Sequence, residues 1–218
     1  MSSTNRRRIR EFYDALLATY GPQGWWPGDS PTEVIIGAIL TQNTNWKNVE
    51  KAIERLRAAK MIDWAALRDV KESDLAELIR PSGYFNIKAK RLKAFTAWIW
   101  RHHEGDIESL RKVPLPQLRP ELLSIHGIGH ETADSILLYA LGRTTFVVDA
   151  YTRRVAVRHR LAREGWTYDQ IKRLFEANVT ADEATYNEYH ALIVAVGKRH
   201  CGPTAKCDEC PLDRFDHS

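Results

Sequence analysis

One carboxylate and one glycine turn carry the chemistry that can be read from this sequence. Asp149 follows the apolar run Phe146-Val-Val and precedes the segment Ala-Tyr-Thr-Arg-Arg-Val, which has helical spacing. An aspartate at such a junction makes a good helix N-cap. An ionised carboxylate can also stabilise positive charge or activate a water. The two roles are compatible. Upstream lies Leu122-Leu-Ser-Ile-His-Gly-Ile-Gly-His-Glu-Thr-Ala-Asp-Ser-Ile-Leu. Here one helix ends, Gly127-Ile128-Gly129 turns tightly, and a second helix begins. The glycines allow backbone angles closed to other residues and let main-chain N–H groups approach a partner. Those groups, with the positive end of the next helix, favour an anion. On DNA the anion is a backbone phosphate, which fixes position without reading sequence. Ile128 pins the turn into the core. A plain helix-turn-helix with a glycine-rich connection explains the tripeptide equally well, since G-x-G alone is a weak signal.

Two further groups of residues have chemical potential. The three cysteines, Cys201, Cys207 and Cys210, are confined to one short tail. An odd number so placed argues for a metal site over a disulfide framework. The chain also has seven tryptophans. Trp25 and Trp26 sit in the Gly/Pro-rich stretch 21–31, and Trp46 follows Gln42-Asn43-Thr44. Flat aromatic faces stack nucleobases at about 1–3 kcal/mol each. Core packing is the commoner use of any single tryptophan, but a Trp-Trp pair in a loop is less easily assigned to it.

The elements that must position these groups read as helices. Apolar residues recur at helical spacing over 6–20, 32–42, 47–59, 63–69, 73–79, 86–102, 107–113, 116–124, 132–141, 149–161, 167–177 and 182–200. Only Thr144–Val148 is strand-like, and it is short. The expected fold is all-α, with two helical subdomains, a cleft between them and a cysteine-rich C-terminal loop. One subdomain spans 31–141 and ends in the helix-hairpin-helix; the other combines 1–30 with 142–218. The first helix and the last three are expected to pack together. Clefts between subdomains are common ligand sites.

Bulk properties narrow the function classes. Lys plus Arg number 32 against 28 Asp plus Glu, for a net charge of +4. That excess suits a basic face on a mixed surface but does not prove nucleic-acid binding. No apolar stretch reaches the about 18 residues of a membrane span. The polar, arginine-rich start, Met1 to Arg10, has no apolar core of a secretory signal, so a cytoplasmic protein is expected.

Taken in order along the chain, these motifs resemble those of the helix-hairpin-helix DNA glycosylases related to endonuclease III. The resemblance rests on Leu40-Thr-Gln-Asn-Thr, Tyr84-Phe-Asn-Ile-Lys-Ala-Lys, the Gly127–Gly129 hairpin, Val147-Val-Asp149 and the cysteine tail. It implies a DNA repair enzyme acting on double-stranded DNA that contains a damaged base, as a monomer. It implies that Asp149 is the catalytic aspartate. The hairpin Gly127, Ile128 and Gly129, with His130 and Thr132, is implied to grip the DNA backbone. Bifunctional members of the family carry a lysine two residues after the second hairpin glycine, and this chain has Glu131 there. A glutamate cannot form an imine with the sugar, so excision by water without strand cleavage is expected. Lysines elsewhere, such as Lys88 or Lys90, could react only adventitiously.

Within that family the chain is most similar to the 3-methyladenine glycosylases, through Trp25-Trp26-Pro27, Leu40–Thr44, Pro81-Ser-Gly-Tyr-Phe85 and Asn86-Ile-Lys-Ala-Lys-Arg-Leu92. The likeness implies that Trp26 and Trp46 sandwich the extruded base, with Trp25 in the same loop. It implies that Asn43 or Gln42 fills the gap left in the duplex, and that Glu131 adds negative potential nearby. The cysteine tail resembles the family's [4Fe–4S] loop, which would place a fourth ligand at Asp216; His217 follows it. Asp216, His217 or solvent completes such a cluster; zinc, or no metal, is the alternative. Three other functions are open to such a chain: an endonuclease III-like glycosylase/AP lyase for oxidised pyrimidines, a mismatch glycosylase, and a non-catalytic DNA-binding module.

Overall fold

The computed structural model describes residues 3–217. Among these the secondary structure is helical, and the only β-type pairing is an isolated bridge between Cys201 and Ala205. The chain forms two compact units, one made of 1–26 with 144–218 and the other of 27–143.

The second unit holds α2 (Pro31–Leu40), α3 (Trp46–Ala58), α4 (Trp64–Asp69), α5 (Glu72–Leu78), α6 (Phe85–His103), α7 (Ile107–Lys112), α8 (Leu115–Ser124) and α9 (His130–Ser135). α2 starts where the sequence says it must: Ser30 accepts from the Glu33 N–H, and Pro31 occupies the first turn. Every residue from Glu33 to Leu40 is buried, because α3, α6 and α9 all pack around α2. The only carboxylate on that buried stretch, Glu33, is paired with Arg57 at 2.8 Å.

The first unit holds α1 (Ser3–Tyr20), α10 (Ala150–Arg158), α11 (Tyr168–Glu176) and α12 (Glu183–Arg199). α12 packs on both α1 and α10. The Tyr189 hydroxyl of α12 donates to the Ile9 carbonyl of α1 at 2.7 Å. α11 begins with a full capping box between Thr167 and Gln170. It joins the core through Phe175, whose ring stacks on Phe146 at 4.5 Å and meets Tyr189 edge-on.

Two expectations from periodicity are corrected. The segment expected as one helix over 132–141 is α9 followed by a π-helical stretch, Ile136–Ala140. Ile136, Leu137, Leu138 and Ala140 are all buried. No exposed face therefore holds the ordinary period, and Leu141 N–H reaches back to the Ile136 carbonyl. The strand-like run Thr144–Val148 is buried from Thr145 onward but pairs with no strand among the described residues. Side chains take its backbone donors instead: Glu176 accepts from the Phe146 N–H at 3.0 Å, and the Tyr168 hydroxyl from Val148 at 3.2 Å. No described helix is long and apolar enough to cross a membrane.

Candidate active site

The hairpin lies within the second unit. α8 ends at Ser124, and Ile128 N–H bonds back to the Ile125 carbonyl at 3.0 Å, closing the turn with Ile128 buried. Gly127 has φ +83°, and a Cβ there would lie 2.3 Å from Arg91 Cγ. Both the backbone angle and the packing therefore demand glycine. Gly129 differs: its φ is −91°, and a Cβ would meet nothing within 4 Å. Nothing inside the protein requires glycine there, and the backbone is exposed. His130 and Glu131 are also exposed, whereas Thr132 is buried.

Gln42 joins this turn from the end of α2. Its amide nitrogen donates to the Gly127 carbonyl at 3.0 Å and to the Thr132 hydroxyl at 2.8 Å. Its carbonyl oxygen accepts from Arg91. Asn43, the neighbouring residue, is exposed and held at φ +53°. Lys88 fixes the end of α2, donating to the Leu40 carbonyl at 2.8 Å and to the Ser82 carbonyl at 2.6 Å. Burial, aided by Arg91, pushes the Lys88 ammonium down to about 8. α8 and α9 are held together by a bidentate pair from Arg119 to the fully buried Asp134, at 2.9 and 3.0 Å. Sequence reasoning had no signal for that pair, since arginine and aspartate on neighbouring helices are ordinarily surface residues. Trp46 opens α3 and is half-buried.

Asp149 lies within the first unit, as the N-cap of α10. Its Oδ1 accepts from the Thr152 N–H at 2.7 Å. Its Oδ2 lies 3.7 Å from His190 Nε2, and the aspartate side chain keeps 13% exposure against 5% for the histidine. Burial lowers the His190 pKa from its ordinary value and keeps the ring neutral; Asp149 opposes that shift. His190 sits far along the chain, on α12, and nothing in the sequence pointed to it. Trp25 and Trp26 contact each other edge to face at 5.4 Å, with the Lys198 ammonium 5.8 Å from the Trp25 ring.

The cysteine tail closes the same unit. Cys201, Cys207 and Cys210 line one cavity of about 30 Å³ together with Asp213, His217 and His159. Arg158 approaches Cys201 Sγ at 3.2 Å, and Arg154 donates to the Cys201 carbonyl at 2.7 Å. Burial raises the Cys210 thiol pKa. Asp216, the position expected to complete the ligand set, turns away. Its carboxylate pairs with Arg160 at 3.2 Å with both side chains largely exposed, because the cationic partner lies outside the cavity. The donor atoms of Asp213 and His217 lie instead within 4.8 Å of Cys207 Sγ and of one another. Three thiols lining one cavity together with Asp213, His159, His200 and His217 fit the donor set of a metal centre.

The profile of HhH-GPD superfamily base excision DNA repair proteins matches residues 36–181. Over 217 residues the chain is 48% identical to MJ1434 of Methanocaldococcus jannaschii, a protein assigned to the DNA repair glycosylases; the match covers 99% of this chain and 98% of that one. Among solved structures it is similar to the 3-methyladenine DNA glycosylase MagIII of H. pylori, crystallised with 1,N6-ethenoadenine. The identity is 30%, the TM-score 0.75, and 89% of this chain and 97% of that one are covered. A trapped endonuclease III–DNA complex shares the fold, with TM-score 0.83 at 21% identity over 99% of this chain and 96% of that one. The chain belongs to the HhH-GPD superfamily of base excision DNA repair proteins.

Proposed function

We propose that this chain is a monofunctional DNA N-glycosylase that hydrolytically excises an alkylated purine, such as 3-methyladenine, from double-stranded DNA. The observation that carries the proposal is the division of labour at Asp149: one oxygen caps α10, and the other is left beside a neutral imidazole. That second oxygen is the one available to a nucleotide. As the C1′–N bond breaks, its electron pair leaves with the base. Positive charge grows on the sugar, and the carboxylate stabilises it. A water held by the same oxygen adds to C1′ and gives up its proton to that carboxylate. N3- or N7-alkylated purines already carry positive charge, so the base departs without a strong general acid. Trp26 and Trp46, with Trp25, favour such a base over a neutral one through cation–π attraction of about 0.5–2 kcal/mol.

Gly127, Ile128 and Gly129, with His130 and Thr132, hold a backbone phosphate. The exposed, Cβ-free backbone at Gly129, which the protein's own packing does not call for, supports that role. Asn43 fills the gap left by the extruded base; Gln42 is committed to the Gly127 turn and serves as a brace. Strand cleavage is not expected. Glu131 cannot form an imine, and Lys88, whose pKa burial lowers to about 8, is 1% exposed and bonded to two carbonyls. Glu131 adds negative potential near a cationic lesion. The tail holds a [4Fe–4S] cluster whose role is structural.

The test is a set of duplexes with single lesions: 3-methyladenine, 7-methylguanine, hypoxanthine, uracil, thymine glycol and 8-oxoguanine. Free base released from the alkylated purines, with the strand intact until alkali is added, is the expected result. Efficient covalent trapping by borohydride, or cleavage at thymine glycol, would place the enzyme with the endonuclease III-like lyases instead. Asp149→Asn should lose roughly 10²–10⁴-fold in turnover while binding lesion-containing DNA as the parent does. Parallel loss of binding would mean that the substitution had damaged the fold.

A further inference from the structure

From the geometry of the tail we infer that His217, through its Nε2, is the fourth ligand of the cysteine-bound centre. This rests on the reading that the tail holds an iron–sulfur cluster. His217 lines the same cavity as Cys201, Cys207 and Cys210. Its Nδ1 lies 2.6 Å from the Phe215 carbonyl oxygen. A carbonyl can only accept, so Nδ1 carries the ring proton and Nε2 keeps its lone pair. A backbone carbonyl on one ring nitrogen is the usual way a protein orients a histidine whose other nitrogen binds metal. Cys207 Sγ and a His217 ring nitrogen are within 4.8 Å, a gap that a metal atom bound to both would span.

The rest of the tail holds the ring in place. Arg8 donates to the Asp216 carbonyl at 3.0 Å, and Arg160 takes the Asp216 carboxylate. With residue 216 anchored outward by both its main chain and its side chain, residue 217 faces inward. His159 packs against the imidazole at 5.3 Å between ring centroids, and Phe12 packs against His159 at 4.9 Å. Asp213 also reaches the cavity, with Oδ1 3.5 Å from His217 Nε2, but its side chain is 54% exposed. A hard carboxylate oxygen also suits iron–sulfur chemistry less well than imidazole, which replaces cysteine in known clusters. The Arg158 guanidinium beside Cys201 Sγ offsets the negative charge of the three thiolates.

The experiment uses the full chain purified without oxygen, with iron, acid-labile sulfide and zinc measured alongside the absorption band near 400 nm. The parent, Asp216→Ala and His217→Cys should retain iron and sulfide. His217→Ala should lose at least half of both or convert to a three-iron signal, with helix content by circular dichroism unchanged. His217→Cys should have the lower reduction potential, because a thiolate donates more charge than a neutral imidazole. In the reduced parent, isotopically labelled histidine should alter the electron-spin-echo modulation through a directly bound nitrogen, and His217→Cys should abolish that nitrogen coupling. His217→Ala with parental iron, sulfide and nitrogen coupling would overturn the assignment. So would a parent that carries zinc and no iron, which would refute the cluster itself. Neither readout depends on base excision, so failure here is distinguishable from failure of the glycosylase reading.

Discussion

A carboxylate that caps a helix has one oxygen committed and one to spare. Asp149 meets that description, and what faces its spare oxygen decides its usefulness. A cationic partner would neutralise it; His190 does not, because burial keeps the imidazole uncharged. Its folded-state pKa lies below the ordinary 6.5, so its contribution to stability is complete above that value and is lost as the pH falls below it. His190→Gln keeps a polar group in place without titrating. The variant should lose less stability than the parent between pH 7 and pH 5, measured as the change in urea midpoint. An equal loss in both would mean that His190 takes up its proton at the same pH whether the chain is folded or unfolded. At this scale the sequence was informative about Asp149 but silent about its partner, since His190 belongs to a helix that only folding brings alongside. Asp216 was nominated by the family resemblance, and its side chain pairs with Arg160 instead of lining the cysteine cavity.

At the scale of elements, the hairpin joins two helices with glycines that do different things. Gly127 satisfies a positive φ and makes room for Arg91, whereas Gly129 leaves its backbone open. Gly127→Ala should therefore destabilise the protein by about 1–3 kcal/mol. Gly129→Ala should cost less, no more than about 1 kcal/mol at this N-cap position, and weaken DNA binding. Thermal unfolding and a binding titration on both variants check this, and equal effects on stability would remove the distinction. The helix-hairpin-helix pattern was legible because glycine, apolar period and N-cap residues act locally. The π-helical stretch after α9 was not. An apolar segment buried on all sides gives periodicity no polar face to mark its turns.

On the scale of the molecule, a net charge of +4 is small, so DNA binding must depend on where the cations lie rather than how many there are. Phosphate contacts release counterions, and affinity should fall at least roughly tenfold between 50 and 200 mM salt, for damaged and undamaged duplexes alike. A salt-independent affinity would argue against phosphate clamping. The sequence alone determined the helical class, the helix-capping place of Asp149, the presence of a glutamate at 131, and the confinement of three thiols to one tail. These depend on residue type and on neighbours within a few turns. Only the tertiary structure decided that Gln42 braces Gly127, that His190 rather than a cation faces Asp149, that Arg119 pairs with a buried Asp134, and that His217 rather than Asp216 lines the cavity of the cysteines. Each of those contacts is set by burial and competing charges from segments distant in the chain. Local spacing carries no information about either.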